Sequence, residues 1–596
     1  LLQSPSVATD VAGNSQANSR EVTYHRDIAP LVYNHCSVCH RPGETAPFPL
    51  LSYADVVSHA EQIVKVTASR FMPPWLPETG RHAIEGDRRL TPEQIDTLRR
   101  WFKQKTPEGN PADAPPAPKF VEGWQLGQPD LIVTMPTPFE LPASGRDVYR
   151  NFVVTVPLDA PRWVKGMEFR PDNRRIVHHA FMMIDRSGEA RRLDGQDPMP
   201  GYDGMNNEAA ESPGGHFISW QPGKQAKFEP EGMSWYLTPG TDLVLQIHMQ
   251  PTGKPESIQA SVGFYFTDRP PVRTPYKIVL RSTDFEIPAG ADNYLVETSY
   301  TLPVPVHLLS VIPHAHYLGK DLQAVAVLPD GTRETLIHIP KWDFNWQGDY
   351  RYATPVSLPK GARIIQRFTY DNSSSNPRNP NSPPRPVGFG LQSSDEMAEL
   401  WLQLLPADAD QMQQLQMDYS RTVLQGIIKS NQRKLKLNPR DVDACLELGK
   451  VALAANDHQR AMTYFHTAES IAPNSLDVHY HLGHALLRQN KPEEARRELE
   501  KVLGIDASYQ KAIHDLGLMY LQTDKLDDAE RHFRRSLELV PYHATSLSNL
   551  GLVRLRQGDM SGGIELLEQS LRVRPDNPSV RRTLEKARSM RQELIP

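Results

Sequence analysis

Two histidines one residue apart, His314 and His316, stand in Val311-Ile312-Pro313-His314-Ala315-His316-Tyr317. Side chains alternate along an extended strand, so both imidazoles face one side. Two neutral imidazoles on a rigid strand make half of a transition-metal site. Other ligand-type residues stand in Val177-His178-His179-Ala180, in Leu245-Gln246-Ile247-His248 and in Ser393-Ser394-Asp395-Glu396-Met397. Adjacent His178 and His179 face opposite ways on a regular strand and one way only across a bulge. Singly, His248 reads equally as a hydrogen-bonded core histidine and Met397 as core filler.

A second chemistry lies near the amino terminus. Cys36-Ser37-Val38-Cys39-His40 is a Cys-x-x-Cys-His run, which attaches haem c through two thioethers with the adjacent His as iron ligand. The competing readings are a redox Cys-x-x-Cys or half of a zinc site, but no further Cys follows before Cys445. Met72, in Phe71-Met72-Pro73-Pro74-Trp75, is the expected sixth ligand of the iron, with His25, His35, His59 and His82 as competitors. A thioether there raises the potential. Residues 21–106 resemble a small cytochrome c domain. That resemblance implies one covalently bound haem c and a periplasmic or secreted bacterial protein. Leu1 in place of Met fits a chain trimmed from a longer exported precursor.

These residues need elements to position them. A chain of 596 residues is too long for one core and calls for about three to five domains. A net charge of −5 gives no electrostatic case for nucleic acid. No apolar run reaches the length of about 18 residues that a membrane span needs. Residues 1–20 are small and polar and read as a flexible lead. Thr91-Pro92-Glu93-Gln94 opens a helix running to about Lys105, and the Pro- and Ala-rich 107–119 reads as a semi-stiff linker. From 120 to 406, short alternating runs between Pro and Gly turns predict two antiparallel β-sandwiches of the jelly-roll kind, 120–272 and 273–406. A connecting helix is expected over 407–438. Beyond it Gly449, Gly483, Gly517 and Gly551 recur every 34 residues, as do Ala461, Ala495, Ala529 and Gly563. Pro439, Pro473, Pro541 and Pro575 keep the same period, with Ala507 breaking it once. This is the tetratricopeptide pattern, so 439–596 is read as four repeats and a capping helix. Cys445 falls on the first repeat helix as a packed thiol.

Taken in order, His178-His179, His248, His314-x-His316 and Met397 form a specific series. With Trp220, Phe228-Glu229-Pro230-Glu231-Gly232 and Leu318-Gly319-Lys320, it resembles the copper type II monooxygenases, the peptidylglycine α-hydroxylating and dopamine β-monooxygenase family, over most of 145–406. The resemblance implies two copper ions. His178, His179 and His248 would hold one that stores and passes an electron. His314, His316 and Met397 would hold the other, which meets O2, in a separate sandwich across a solvent-filled gap. Departures shape the expected substrate. The region has no cysteine, whereas the family is rich in disulfides; Ile312 replaces the family's carboxylate-gripping Arg, and Glu399 and Trp401 replace an Asn and a Tyr. An uncharged or cationic substrate is therefore expected.

The function implied is an exported, haem-fed dicopper monooxygenase. It would hydroxylate a C–H bond of a small organic substrate with O2 and an external electron donor. The alternative from another class is a haem–copper redox enzyme acting on O2, peroxide or a nitrogen oxide. A third reading is a tetratricopeptide assembly protein with a decayed copper fold. The repeats imply a protein partner or self-association.

Overall fold

The computed structural model describes residues 20–145, 147–204, 209–575 and 577–593; the expected flexible lead lies outside them except for its last residue. The chain forms two compact units, one of Leu1–Trp75 with Asp87–Phe120 and one of Leu76–Gly86 with Val121–Pro596. No helix among the described residues is long and apolar enough to cross a membrane.

The first unit is small and helical, with helices Ala29–His35, Tyr53–Ser58, Ala60–Ala68 and Pro92–Lys103. Ser52 and Thr91 each cap a helix with a reciprocal capping box, which satisfies amide donors that a helix leaves orphaned. Tyr24, Ile28, Val32, Val56, Leu98 and Trp101 bury their side chains between the helices. The stretch expected as a linker is held along this unit from its first residues. Tyr24 and His25 donate backbone N–H bonds to the carbonyls of Pro107 and Glu108 at 2.9 and 3.1 Å, and the Trp101 indole donates to Pro107 as well.

The second unit is β-rich in its middle and all-helical at its end. In its first sandwich a five-stranded sheet runs in the order Tyr202–Asp203, Val148–Thr155, Asp242–Met249, Val177–Asp185 and Ser219–Trp220. A four-stranded sheet, in the order Leu131–Thr134, Ser261–Thr267, Arg162–Arg170 and Trp235–Leu237, accompanies it. Phe152, Leu245, Ile247, Phe169 and Phe264 are among the residues of the shared core. The second sandwich has two four-stranded sheets. One runs Tyr276–Ser282, Ala398–Pro406, Val306–His314, Tyr350–Leu358, and the other Tyr294–Thr301, Arg363–Tyr370, Gly319–Val327, Arg333–Ile339. Their ladders are antiparallel, as the alternating runs predict.

Residues 76–86 belong to this unit by pairing. Ile84 bridges Tyr352 on the edge strand Tyr350–Leu358, and Ala353 and Glu85 complete the bonds with Ala83 and Arg351. Glu78 meets the His338 ring at 3.0 Å, and Arg81 makes an ion pair with Glu334. The sequence gives no sign of this strap, because a strand added to another sheet edge carries no pattern of its own.

A helix Ala409–Leu437 follows, then helix pairs at 442–454/458–471, 476–488/492–505, 510–522/526–539 and 544–556/560–573, closed by Pro578–Glu593. The small residues act as the period predicts. A Cβ on Gly449 would stand 2.3 Å from Phe465, and one on Gly517 would stand 2.8 Å from Phe533. A second 34-residue signal was missed. Asn456, Asn490, Asp524 and Gly558 end the first helix of each pair at φ 59, 58, 59 and 87°, the left-handed conformation that Gly, Asn and Asp adopt most readily. The repeats also dock on the first sandwich. Tyr542 covers Gly240, and Arg192 lies over the Tyr509 ring.

Candidate metal centres

The three-histidine cluster is made by one irregularity. The ladder between Val177–Asp185 and Asp242–Met249 pairs Val177 with Met249 and His179 with His248, so His178 is the extra residue of a bulge. The bulge supplies the turn that adjacent histidines need to share a face. The three Nδ1 atoms then converge, 3.1 Å apart for His178 and His248, 3.2 Å for His178 and His179, and 3.4 Å for His179 and His248. Two far nitrogens are already engaged. His248 Nε2 meets Asp147 at 3.0 Å, and His178 Nε2 meets the Asn345 carbonyl. A neutral imidazole whose Nε2–H donates outward presents a bare lone pair at Nδ1. Converging lone pairs repel one another unless a cation sits among them, and the carboxylate behind His248 is the usual outer partner of a metal-bound imidazole. Burial lowers the pKa of all three, His178 to about 4; neighbouring imidazoles add to it at His178 and His179, and Asp147 opposes it at His248. They therefore stay neutral, as ligands must. Tyr149 stacks on His248 at 4.0 Å and 12°.

The second cluster lies on the face of a neighbouring ladder. Ile312 pairs with Trp401 and His314 with Glu399; carried on two residues, that register sets Met397 across from His316. His314 Nδ1 meets the Gln347 amide oxygen, and His316 Nδ1 meets the Asp395 carbonyl at 3.2 Å. His316 Nε2 is buried without any partner. An unsatisfied buried nitrogen is costly, and a free imidazole lone pair is a ligand for a transition-metal ion; the His314 ring lies 5.2 Å away. Burial, with the His314 charge, lowers His316 to about 3. Glu396, fully buried, accepts the backbone N–H of His316, Leu318 and Met397; burial raises its carboxyl to about 8 in spite of those donors. Trp342 donates its indole N–H to the His316 carbonyl at 3.1 Å. A Cβ on Gly319 would lie 2.5 Å from Trp342, which is why Leu318-Gly319-Lys320 needs its glycine.

One buried ring touches both clusters. Phe344 stands 6.0 Å from His248 and 5.5 Å from His316. It sits on the short helical turn Phe344–Trp346, whose Asn345 reaches the first cluster and whose neighbour Gln347 reaches the second. Tyr317 packs on Phe344 at 4.6 Å. Glu399 is buried but not free, since Arg281 and the Trp401 indole N–H both bond to it. The negative charge that favoured a cationic substrate is thereby neutralised within the protein.

In the first unit, Cys36 follows the helix Ala29–His35, and the N–H groups of Cys39 and His40 both donate to the Cys36 carbonyl. This tight turn sets the two thiols and the imidazole together. His40 Nδ1 meets the Phe48 carbonyl at 3.1 Å, which leaves Nε2 as its ligand atom. Burial pushes the Cys36 thiol up to about 12, against the lowered values of redox-active thiols. Met72 is half-buried. Of its competitors, His35 meets the Arg88 carbonyl, His59 stacks on Phe48 at 3.7 Å, His25 faces Glu108, and His82 lies on the strap beside Glu334 and Tyr352. Cys445 is buried in the first repeat.

Asp147, Phe344, Gln347 and Glu396 were missed by sequence reasoning. Only Asp395-Glu396, adjoining Met397, carried any signal.

The tetratricopeptide repeat family matches residues 452–517 and again 510–576. No curated protein matches the chain. Among solved structures, YrrB, a tetratricopeptide protein with an unusual peptide-binding site, is 20% identical over 28% of this chain and 86% of its own, with a TM-score of 0.24. PilF of Pseudomonas aeruginosa is 25% identical over 27% and 73%, with a TM-score of 0.25. TTC0263 of Thermus thermophilus is 21% identical over 29% and 93%, with a TM-score of 0.26. The carboxy-terminal region of the chain is a tetratricopeptide repeat domain.

Proposed function

We propose that this chain is an exported, haem c-fused dicopper monooxygenase that hydroxylates a C–H bond of an organic substrate. The observation that carries the reading is the convergence of the Nδ1 atoms of His178, His179 and His248 at 3.1–3.4 Å, two of them on rings whose far nitrogen is already engaged. His178, His179 and His248 would hold one copper, and His314, His316 and Met397 the other. Cys36 and Cys39 would hold haem c, with His40 and Met72 as axial ligands. When bound, the haem and first copper would supply single electrons, and the second copper would supply O2 activation.

The chain's own residues do the positioning. Asp147 keeps the His248 proton on Nε2, so Nδ1 stays a ligand. Gln347 and the Asp395 carbonyl do the same for His314 and His316 by engaging Nδ1. Glu396 ties the loop after His314 to Met397 through three backbone donors. Phe344 and Tyr317 keep water from the space between the clusters. The protein would take electrons from an external donor, in the periplasm or outside the cell, and the repeats would bind a protein partner or a second copy.

Copper reconstitution followed by metal analysis tests the sites, with two coppers and one iron per chain expected. Turnover with 18O2 tests the reaction, with one labelled atom expected in the product. Oxygen uptake without any organic substrate, and with no label incorporated, selects the haem–copper redox reading instead.

A further inference from the structure

One cation in the second sandwich, Lys277, makes no direct ion pair among the described residues. Lys277 sits on the strand Tyr276–Ser282, paired with Gln403 on Ala398–Pro406, on the sheet face that carries Trp401, Ile312 and His314. Among the described residues no carboxylate lies within ion-pair range of its ammonium. Its hydrogen bond is to the Ser212 hydroxyl at 3.1 Å, and it lies 4.7 Å over the Trp401 ring. Burial lowers its pKa, with Arg281 adding to the effect and the more distant charges of Glu211 and Glu399 opposing it. Arg281, on the same strand, differs because Glu399 neutralises it. A half-buried ammonium without an anion is poorly solvated, and an incoming anion gains a charge-assisted bond there.

The surroundings define the rest of the ligand. Trp401 is fixed by its indole bond to Glu399, is flanked by Phe217 at 6.3 Å, and pairs across the ladder with the buried Ile312. That apolar wall joins Lys277 to His314, which lies two residues beyond Ile312, about 7 Å along the strand.

We propose that Lys277 anchors the anionic group of an amphipathic substrate, an aryl- or alkyl-carboxylate whose apolar part lies along Trp401, Phe217 and Ile312 with its far end at His314. Only the assignment of that far end as the reacting end rests on the monooxygenase reading. The anchor itself rests on Lys277 and its surroundings, and it replaces the uncharged or cationic substrate that Ile312 and Glu399 suggest.

The test is equilibrium dialysis of 4-phenylbutanoate, 4-phenylbutan-1-ol and 4-phenylbutylamine against the full-length protein, with and without copper. The acid is expected to bind about 10- to 100-fold tighter than the alcohol, the range of a hydrogen bond to a charged group. Lys277→Met is expected to equalise acid and alcohol while leaving the alcohol's affinity unchanged. Lys277→Arg keeps part of the preference, and Ser212→Ala weakens it; these two carry the test if the Met variant does not fold. Equal binding of acid and alcohol, no saturable binding of either, preference for the amine, or an acid preference that survives Lys277→Met overturns the anchor. Metal content measured on the same samples separates the two readings. Two bound coppers without anion preference overturn the anchor alone, and anion preference in a chain that takes up no copper overturns the metal reading alone.

Discussion

Two groups of side chains among the described residues bring three ligand-type atoms within 4.8 Å of one another, and they could hardly differ more in chemistry. At His178, His179 and His248 the near nitrogens face each other, and the far nitrogens of His178 and His248 already hold acceptors. At Glu469, His479 and Glu498, in the repeats, the ring and the carboxylates are already engaged with one another and with a lysine. His479 is bonded through one nitrogen to Glu498 at 2.8 Å and through the other to the Pro473 carbonyl at 2.7 Å. Lys501 reaches Glu498 at 2.8 Å and Glu469 at 4.0 Å, occupying the place an ion would take. Proximity of ligand types does not make a metal site. What matters is whether the far side of each ring is engaged and the near side left bare.

Four measurements press on that contrast. His248→Ala should abolish copper at its cluster, lowering the content of the reconstituted protein by one ion, while His479→Ala should leave metal content unchanged; equal losses would break the distinction. Asp147→Asn should weaken the same copper by about 10- to 100-fold, the usual weight of an outer partner, seen in a chelator competition, without affecting haem. Acid should act on the repeats whether or not metal is bound. Burial lowers His481 to about 3 and His543 to about 4, so the folded repeats hold these rings neutral. The stability this represents is whole above the unfolded value near 6.5 and is lost as pH falls from there toward 4, by up to about 1.4 kcal/mol per pH unit for each ring. Thermal melts followed by the helical signal should therefore show the melting temperature falling between pH 7 and 4.5, with or without copper. Smallest of all, Lys501→Met should cost about 0.5 kcal/mol, since the lysine is nearly half exposed, and should create no copper affinity.

Much of this was legible in the sequence, for identifiable reasons. The repeats announce themselves because each pair of helices solves the same packing problem, so Gly449 and its successors return on schedule. The strands are legible because one face is buried, and Thr91 marks its helix because capping is local. Adjacent His178 and His179 pose the question of a bulge, but the answer depends on which residue of the partner strand faces which. Phe344 and Gln347 sit on a turn whose importance comes only from what packs around it. Lys277 reads as one more surface lysine until Ser212 and Trp401 arrive from elsewhere in the chain. Chemistry carried by neighbours in sequence is visible early, whereas chemistry assembled across sheets is not.

The strap at 76–86 has a consequence for how the molecule is made. Ile84 leaves the ribosome early, and the edge strand residue it pairs with, Tyr352, follows only after more than half of the chain has been synthesised. Loop closure over such a span is slow compared with the closing of local helices. The amino-terminal helices can therefore close around Trp101 while the strap still hangs open, waiting for a sandwich that does not yet exist.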